Sequence, residues 1–561
     1  MIVLQTSLGE GAADVKAALA DWPARFSKLW AKDKSLWTGA DEDKWLGWLD
    51  IVAREQGDLP SLEAFAEKVK GLSNVVLIGM GGSSLGSEVL AQSFGRQAGW
   101  PDFHAIDSTS PDQIGALEAK LDLERTLFLV ASKSGSTLEP NILKDYFHAQ
   151  VKACVGEAKT GSHFAAITDP GSSMEKEAKQ KGFANLFYGE PTIGGRYSVL
   201  SRFGLVPAAA MGLDVARLLQ AASQMVTRCK SASPLDANPG AVLGLALGVL
   251  ATKHGRDKIT ISASPTLVSV GGWLEQLIAE STGKSGKGLI PVDLEPLAAP
   301  SYYGKDRIFV HVGLAGEAEP SALAALEQAG QPVIRIVLQD VYELGGLFFM
   351  SEIAVAVAGA VLGINPFDQP DVEASKVKSR ELTDEYERSG KLPAGEPVRR
   401  FDGIALYADA RNAKILEGCN TLADCLRAHF AQAVAGDYVG LLAYIEQSKP
   451  HARQLQAMRT KLRDVLKVAT CAEFGPRFLH STGQAYKGGP NTGIFLTLNT
   501  DPVRDLDIPG RKISFGVVQQ AQAIGDFAVL NDRGRRALRL HFDDLESGLK
   551  VLGAALDKAL A

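Results

Sequence analysis

The stretch "NVVLIGMGGSSLGSE", residues 74–88, limits the possible folds of this chain more than any other. Its first part, "NVVLIGM" (74–80), is apolar without alternation, so both faces of the strand it forms must be buried, as in a parallel sheet. It breaks at once into glycines and serines and then into a helical pattern. The same cadence returns in "TLFLVAS" (126–132), followed by "SKSGSTLEP" (132–140) and the helical "TLEPNILKDYFHAQVKAC", and again in "HFAAITD" (163–169). Strands alternating with helices specify a doubly wound α/β unit with a mainly parallel sheet.

Two further sets of elements follow. "DKITISAS", "RIFVHVG" and "VIRIVLQ" read as strands, "PTLVSVGGWLEQLIAEST" opens a helix, and the strongly apolar "GLFFMSEIAVAVAGAVLG" reads as a helix buried between domains. Beyond residue 377 the texture turns charged and proline-bearing, and "VKSRELTDEYERSGKLPAGEPVRR" reads as a linker or an exposed helix plus loop. "GIALYAD", "GDYVGLLAYI" and "GIFLTLN" then supply the strands of a third α/β unit, with a long helix around 451–467. The expected organisation is 1–205, an N-terminal helical segment with a first α/β domain; 206–380, a second; and 381–561, a C-terminal α/β extension.

Composition serves mainly to exclude. The 561 residues carry a net charge of −6 with no long basic run, which argues against a nucleic-acid partner. The five cysteines (Cys154, Cys229, Cys419, Cys425, Cys471) lack CxxC spacing, so neither a disulfide framework nor a zinc site is expected, and a reducing cytoplasm fits. The N-terminus does not read as a signal peptide, and no apolar run reaches the length of about 18 residues that a membrane span needs.

The two loops carry the first chemistry. "GMGGSSLGSE" (79–88) and "SKSGSTLEP" (132–140) each follow a strand and open a helix. Glycine lets the backbone approach a ligand, and the free N–H groups of a helix start favour an anion. The second loop adds the hydroxyls of Ser132, Ser134, Ser136 and Thr137 and the ammonium of Lys133. Neither loop has the Gly-Lys-Ser/Thr ending of a Walker loop or a clean GxGxxG. Together, at the carboxyl ends of adjacent strands, they suit a monophosphate.

Further along lie "IGGRYSVLSRFGL" (193–205), "EQLIAESTGK" (275–284) and "NPFDQPDVEASK" (365–376). In order and spacing, these motifs and the two loops resemble the phosphoglucose isomerase family over roughly residues 70–380. The tail, with "FGPRFLHSTGQAYKGGPNTG" (474–493), resembles the isomerase half of fused transaldolase–phosphoglucose isomerase proteins, although no transaldolase-like half is recognisable. The resemblance implies phosphate binding by Ser132, Lys133, Ser134 and Thr137, and Gly82 and Ser83 along the sugar. It further implies Gln276 and Gln369 on the substrate, Arg196 near the reacting carbons, Glu280 as the base, and Lys376 in ring opening or hydroxyl orientation. It implies glucose-6-phosphate isomerase activity without metal or organic cofactor. The alternatives are a broader isomerase that also takes mannose 6-phosphate, or a non-catalytic sugar-phosphate regulator. With the apolar helix at 346–363, the family also suggests a homodimer.

The reaction itself asks for these residue types. Moving a proton between C2 and C1 through an enediolate needs one carboxylate to carry it and a fixed cation for the developing oxyanion. Gln276 lies four residues before Glu280, on the same helical face. Glu373 is the expected partner of Lys376. The family's ring-opening histidine has no clear counterpart between Glu280 and "FDQ". His311 stands there, inside an apolar strand, and reads as core. His480, at a strand end breaking into a polar glycine-rich loop, is the better candidate.

Overall fold

The computed structural model describes residues 1–230, 234–393 and 395–561. In chain order the strands are β1 (Val3–Ser7), β2 (Asn74–Gly79), β3 (Asp102–Ile106), β4 (Thr126–Ala131), β5 (Phe164–Thr168), β6 (Asn185–Tyr188), β7 (Lys258–Ala263), β8 (Ile290–Val292), β9 (Arg307–Leu314), β10 (Val333–Leu338), β11 (Arg399–Phe401), β12 (Ile404–Tyr407), β13 (Tyr438–Tyr444), β14 (Ala469–Phe474), β15 (Gly493–Thr500) and β16 (Arg536–Phe542). They form three sheets, with orders β3-β2-β4-β5-β6, β1-β10-β9-β7-β8 and β11-β12-β16-β15-β13-β14. The first is parallel throughout. In the second only β1 runs antiparallel, so the first residues of the chain close the edge of a sheet built mostly from residues 258–338. The third is parallel from β14 to β16, with β12 and β11 added antiparallel.

β2, β4 and β5 are buried at every residue, which is why they read as unbroken apolar runs. The first sheet reverses its strand order between β2 and β4. The loops after these two strands therefore splay apart at the carboxyl edge and leave a crevice.

The apolar helix Leu344–Leu362 is long and apolar enough to cross a bilayer, yet 94% of it is buried inside the protein. Helix Pro239–His254 lies against it through Gly240, Gly244 and Gly248. A Cβ on Gly244 would sit 2.4 Å from the Ala354 carbonyl, so the small stripe sets how closely the two backbones approach. With its surface covered by its own chain, this helix has no apolar face left for a second subunit.

Of the two readings of the stretch after residue 377, linker or exposed helix plus loop, the helix is present: it is the second half of helix Pro370–Ser389, but one face of it is buried rather than exposed. Its packed face carries Ser375, Ser379 and Thr383, all buried against helix Phe515–Asp532, beside only a few apolar residues. Small polar residues bury that face, so hydrophobic periodicity does not mark it. The third sheet's connections reach back to the first unit. Ile508, Ile513 and Phe515 join the core formed by β2, β4 and helix Leu138–Val155, and Phe515 packs edge-on against Tyr146. Arg477, just after β14, bonds Glu88 at 2.6 Å and pairs with Asp107 at 2.8 Å. On the other side Glu295 takes Arg307 at 3.0 Å and the Thr470 hydroxyl at 2.8 Å, joining the second sheet to the third.

Candidate active site

A cleft of about 380 Å³ opens where the three units meet. The loop after β2 forms one wall: Gly81–Ser83 make a short 3-10 turn, and Gly82 and Ser83 line the cleft. Gly81 has φ +54°, and a Cβ there would fall 2.6 Å from the Gln276 amide nitrogen and 2.7 Å from the His480 carbonyl. Glycine at this position is what lets the second and third units close onto the first.

The loop after β4 supplies Ser134 and Thr137 to the cleft. Thr137 is the N-cap of helix Leu138–Val155, but its hydroxyl makes no capping bond and stays available. Ser134 and Ser136 share a hydrogen bond at 3.0 Å. Two residues of this loop are placed differently. Ser132 is buried at the strand end and does not line the cleft. Lys133 lines it, but its ammonium is tied to Asp169 at 2.6 Å and to the Glu190 carbonyl at 2.8 Å. Burial lowers the Lys133 ammonium from its usual value against the opposing pull of Asp169.

Glu280 stands in the last turn of helix Val270–Thr282, with its side chain 11% exposed. Arg196 reaches it at 3.4 Å and is itself only 2% exposed. Every arm of that guanidinium is engaged: Nε donates to Ser281 Oγ at 2.8 Å, Nη1 to Gln369 Oε1 at 3.0 Å, and Nη2 to the carbonyls of Pro366 and Asp368 at 2.7 and 2.9 Å. Lys284 grips the same segment through Asp368 Oδ1 at 2.7 Å. Burial and the neighbouring Arg196 push the Lys284 ammonium down to about 8, with Asp368 opposing.

Gln276 donates to the His480 carbonyl at 2.7 Å, leaving its own carbonyl oxygen buried and without a partner. Lys376, 38% exposed, pairs with Glu373 at 2.8 Å on the rim, and both line the cleft.

His480 ends the 3-10 turn Arg477–His480 that follows β14, so it comes from the third unit. Its Nε2 meets Glu139 Oε1 at 3.0 Å. The Glu139 carboxyl lies below its ordinary range. Burial alone would raise it, but the His480 imidazole, with a smaller contribution from Lys376, outweighs burial. With Nε2 held by a carboxylate, Nδ1 is the ring nitrogen left for other work. His311 sits in β9, bonded to Ser262 at 3.0 Å, outside the cleft lining.

Glu139 is the member of the constellation that the sequence did not single out. It lies within "SKSGSTLEP", yet a glutamate in the first turn of a helix reads as an ordinary complement to the helix dipole. Trp45, Asp169, Phe367 and Val372 also line the cleft.

The profile of the family described as phosphoglucose isomerase matches residues 60–291. A glucose-6-phosphate isomerase of Alkaliphilus metalliredigens (strain QYMF) is 30% identical over 395 residues, spanning 60% of this chain and 86% of that relative. The chain belongs to the phosphoglucose isomerase family. A second glucose-6-phosphate isomerase, from Symbiobacterium thermophilum, is 29% identical over 381 residues, 59% of this chain and 85% of its own length. Among solved structures, a hypothetical protein of Thermus thermophilus superimposes with a TM-score of 0.60 at 26% identity, covering 68% of this chain and 99% of its own. A glucose-6-phosphate isomerase from Chlamydia trachomatis gives 0.57 at 18% identity over 68% of this chain and 88% of its own, a likeness of fold. The family profile ends at residue 291, ahead of the third unit, which delivers His480.

Proposed function

We propose that this chain interconverts glucose 6-phosphate and fructose 6-phosphate, and that the cleft between its three units is where it does so. One observation carries the reading. Glu280, Arg196, Gln369, Lys376 and His480, backed by Glu139, converge on one cleft, with Ser134 and Thr137 lining it as well. A sugar phosphate anchored by its phosphate at Ser134 and Thr137 lays its first carbons among the charged groups.

The substrate enters as a ring. His480, with Glu139 behind it, gives a proton to the ring oxygen as the bond between that oxygen and C1 breaks, and the anomeric hydroxyl passes its own proton to solvent and becomes the carbonyl. Lys376, steadied by Glu373, orients a hydroxyl beside it. Glu280 then takes the proton from C2 and returns it to C1, and the enediolate charge between these steps faces the Arg196 guanidinium. Arg196 is always cationic and deeply buried, so it needs no reorganisation when that charge appears.

The test is isomerisation of fructose 6-phosphate by purified protein in EDTA, with Glu280→Gln alongside. Glutamine keeps the shape and removes the proton acceptor. The expected loss in kcat is roughly 10²–10⁴-fold with substrate affinity largely kept. Near-normal turnover by the Gln variant removes Glu280 from the mechanism, and an inactive wild type removes the reading itself.

A further inference from the structure

We propose that Gln522 is a positioning residue for ring opening, holding Glu139 in the one orientation that serves His480; this rests on the function proposed above. Gln522 lies on helix Phe515–Asp532 of the third unit and is 2% exposed. Its Nε2 donates to Glu139 Oε1 at 2.7 Å, the same oxygen that meets His480 Nε2 at 3.0 Å. Its other end is fixed too: Thr109 Oγ1 donates to Gln522 Oε1 at 2.7 Å, and Thr109 is wholly buried.

Each contact removes a freedom. The hydroxyl of Thr109 sets which way the amide faces, because a reversed amide would point its oxygen at the carboxylate. The amide N–H in turn sets where Oε1 lies. A glutamate in the first turn of a helix has several rotatable bonds, and in a site this buried a donor is needed to choose among its rotamers. With Oε1 fixed at the crossing of two donors, the imidazole plane is fixed and its Nδ1 edge stays in place.

The clamp also has an address. His480 and Gln522 both belong to the third unit, while Glu139 and Thr109 belong to the first. The third unit thus carries both the acid–base group and the part that aligns its partner. If it shifts against the first unit, both contacts to Glu139 Oε1 are lost together.

The experiment separates alignment from folding. Gln522→Met keeps the length and loses both polar ends. Two activities are measured: turnover of fructose 6-phosphate, which must be opened, and C2 proton exchange in deuterated water on a four-carbon aldose phosphate that cannot close a stable ring. The expected result is a loss of about tenfold in the first, the scale of one hydrogen bond to a charged group, with the second unchanged. Thr109→Val, which frees the amide to turn, should show the same selectivity with a smaller loss, and it serves if Gln522→Met folds poorly. His480→Asn is run in parallel and should show the same selectivity, more strongly. If His480→Asn is selective and both Gln522→Met and Thr109→Val are not, Gln522 only packs and the proposal is overturned. An equal fall in both activities for Gln522→Met and Thr109→Val overturns it likewise. An unselective His480→Asn refutes the ring-opening role of His480 itself, and the role of Gln522 falls with it.

Discussion

Replacing Lys487 with methionine tests how the third unit is locked to the helix that carries Lys376. Lys487 and Asp526 form an ion pair at 2.6 Å with side chains 0% and 1% exposed. Lys487 also donates to Ser375 Oγ at 2.9 Å, and Ser375 donates to Asp526 Oδ1 at 3.2 Å. Three helices meet in this triangle: Gly483–Gly488, Phe515–Asp532 and Pro370–Ser389. Methionine fills the volume of the lysine stem but leaves the Asp526 carboxylate buried with a hydroxyl in place of a cation. Breaking a fully buried pair from one side costs about 3–5 kcal/mol. For a unit of this size each kcal/mol moves the midpoint by about 2–4 °C, so a fall on the order of 10 °C is expected in differential scanning calorimetry. The double variant Lys487→Met/Asp526→Leu removes the stranded charge and should recover most of that loss. Because Ser375 adjoins Lys376, the single variant should also lose turnover while inorganic phosphate still inhibits it as before. If Lys487→Met costs less than about 1 kcal/mol, or the double variant is no more stable than the single, the ion pair is not what joins the units.

Ser134→Ala with Thr137→Ala removes two hydroxyls from the proposed phosphate end. The Ki of inorganic phosphate, competitive in the wild type, should rise on the order of tenfold per hydroxyl, and unchanged inhibition assigns the phosphate to another loop. Arg196→Lys keeps the charge but cannot reproduce four hydrogen bonds pointing in different directions, so kcat should fall roughly 10²–10³-fold in a steady-state assay, and a conservative outcome refutes its role at the oxyanion. Lys284 is pushed down to about 8, so its charge, present below that pH, is lost as pH rises through it, and with it the grip on Asp368. Activity should therefore decline above pH 8 in the wild type, and Lys284→Arg should carry it to higher pH; matching alkaline limbs refute the link.

How much of this is legible in the sequence depends on the distance over which each residue acts. β2 and β4 with their glycine- and hydroxyl-rich loops are local statements: apolar runs, breaks and helix starts all within a dozen residues. The proximity of Gln276 to Glu280 follows from helical spacing. Lys133 is harder to read at the next scale, because its partner Asp169 lies one strand further on, and a cation beside a hydroxyl loop looks free until that strand is placed. Glu139 is out of reach altogether. Its role is set by His480 and Gln522, 341 and 383 residues away, and nothing around position 139 records either. The same applies to the helix Pro370–Ser389, on whose largely polar buried face Ser375 meets Lys487 and Asp526. A polar buried face carries no hydrophobic period, so it reads as solvated until its partner is known. Polar junctions are therefore where sequence reading is weakest in this chain, and they are also where the third unit meets the cleft. That conjunction has a physical reason. A unit that must deliver a histidine to a wet, charged cleft cannot seal itself there with apolar contacts alone without desolvating the charges it serves. It holds position instead through ion pairs and amides such as Arg477–Glu88 and Gln522–Glu139, whose geometry is specific and whose partners lie far apart in the chain.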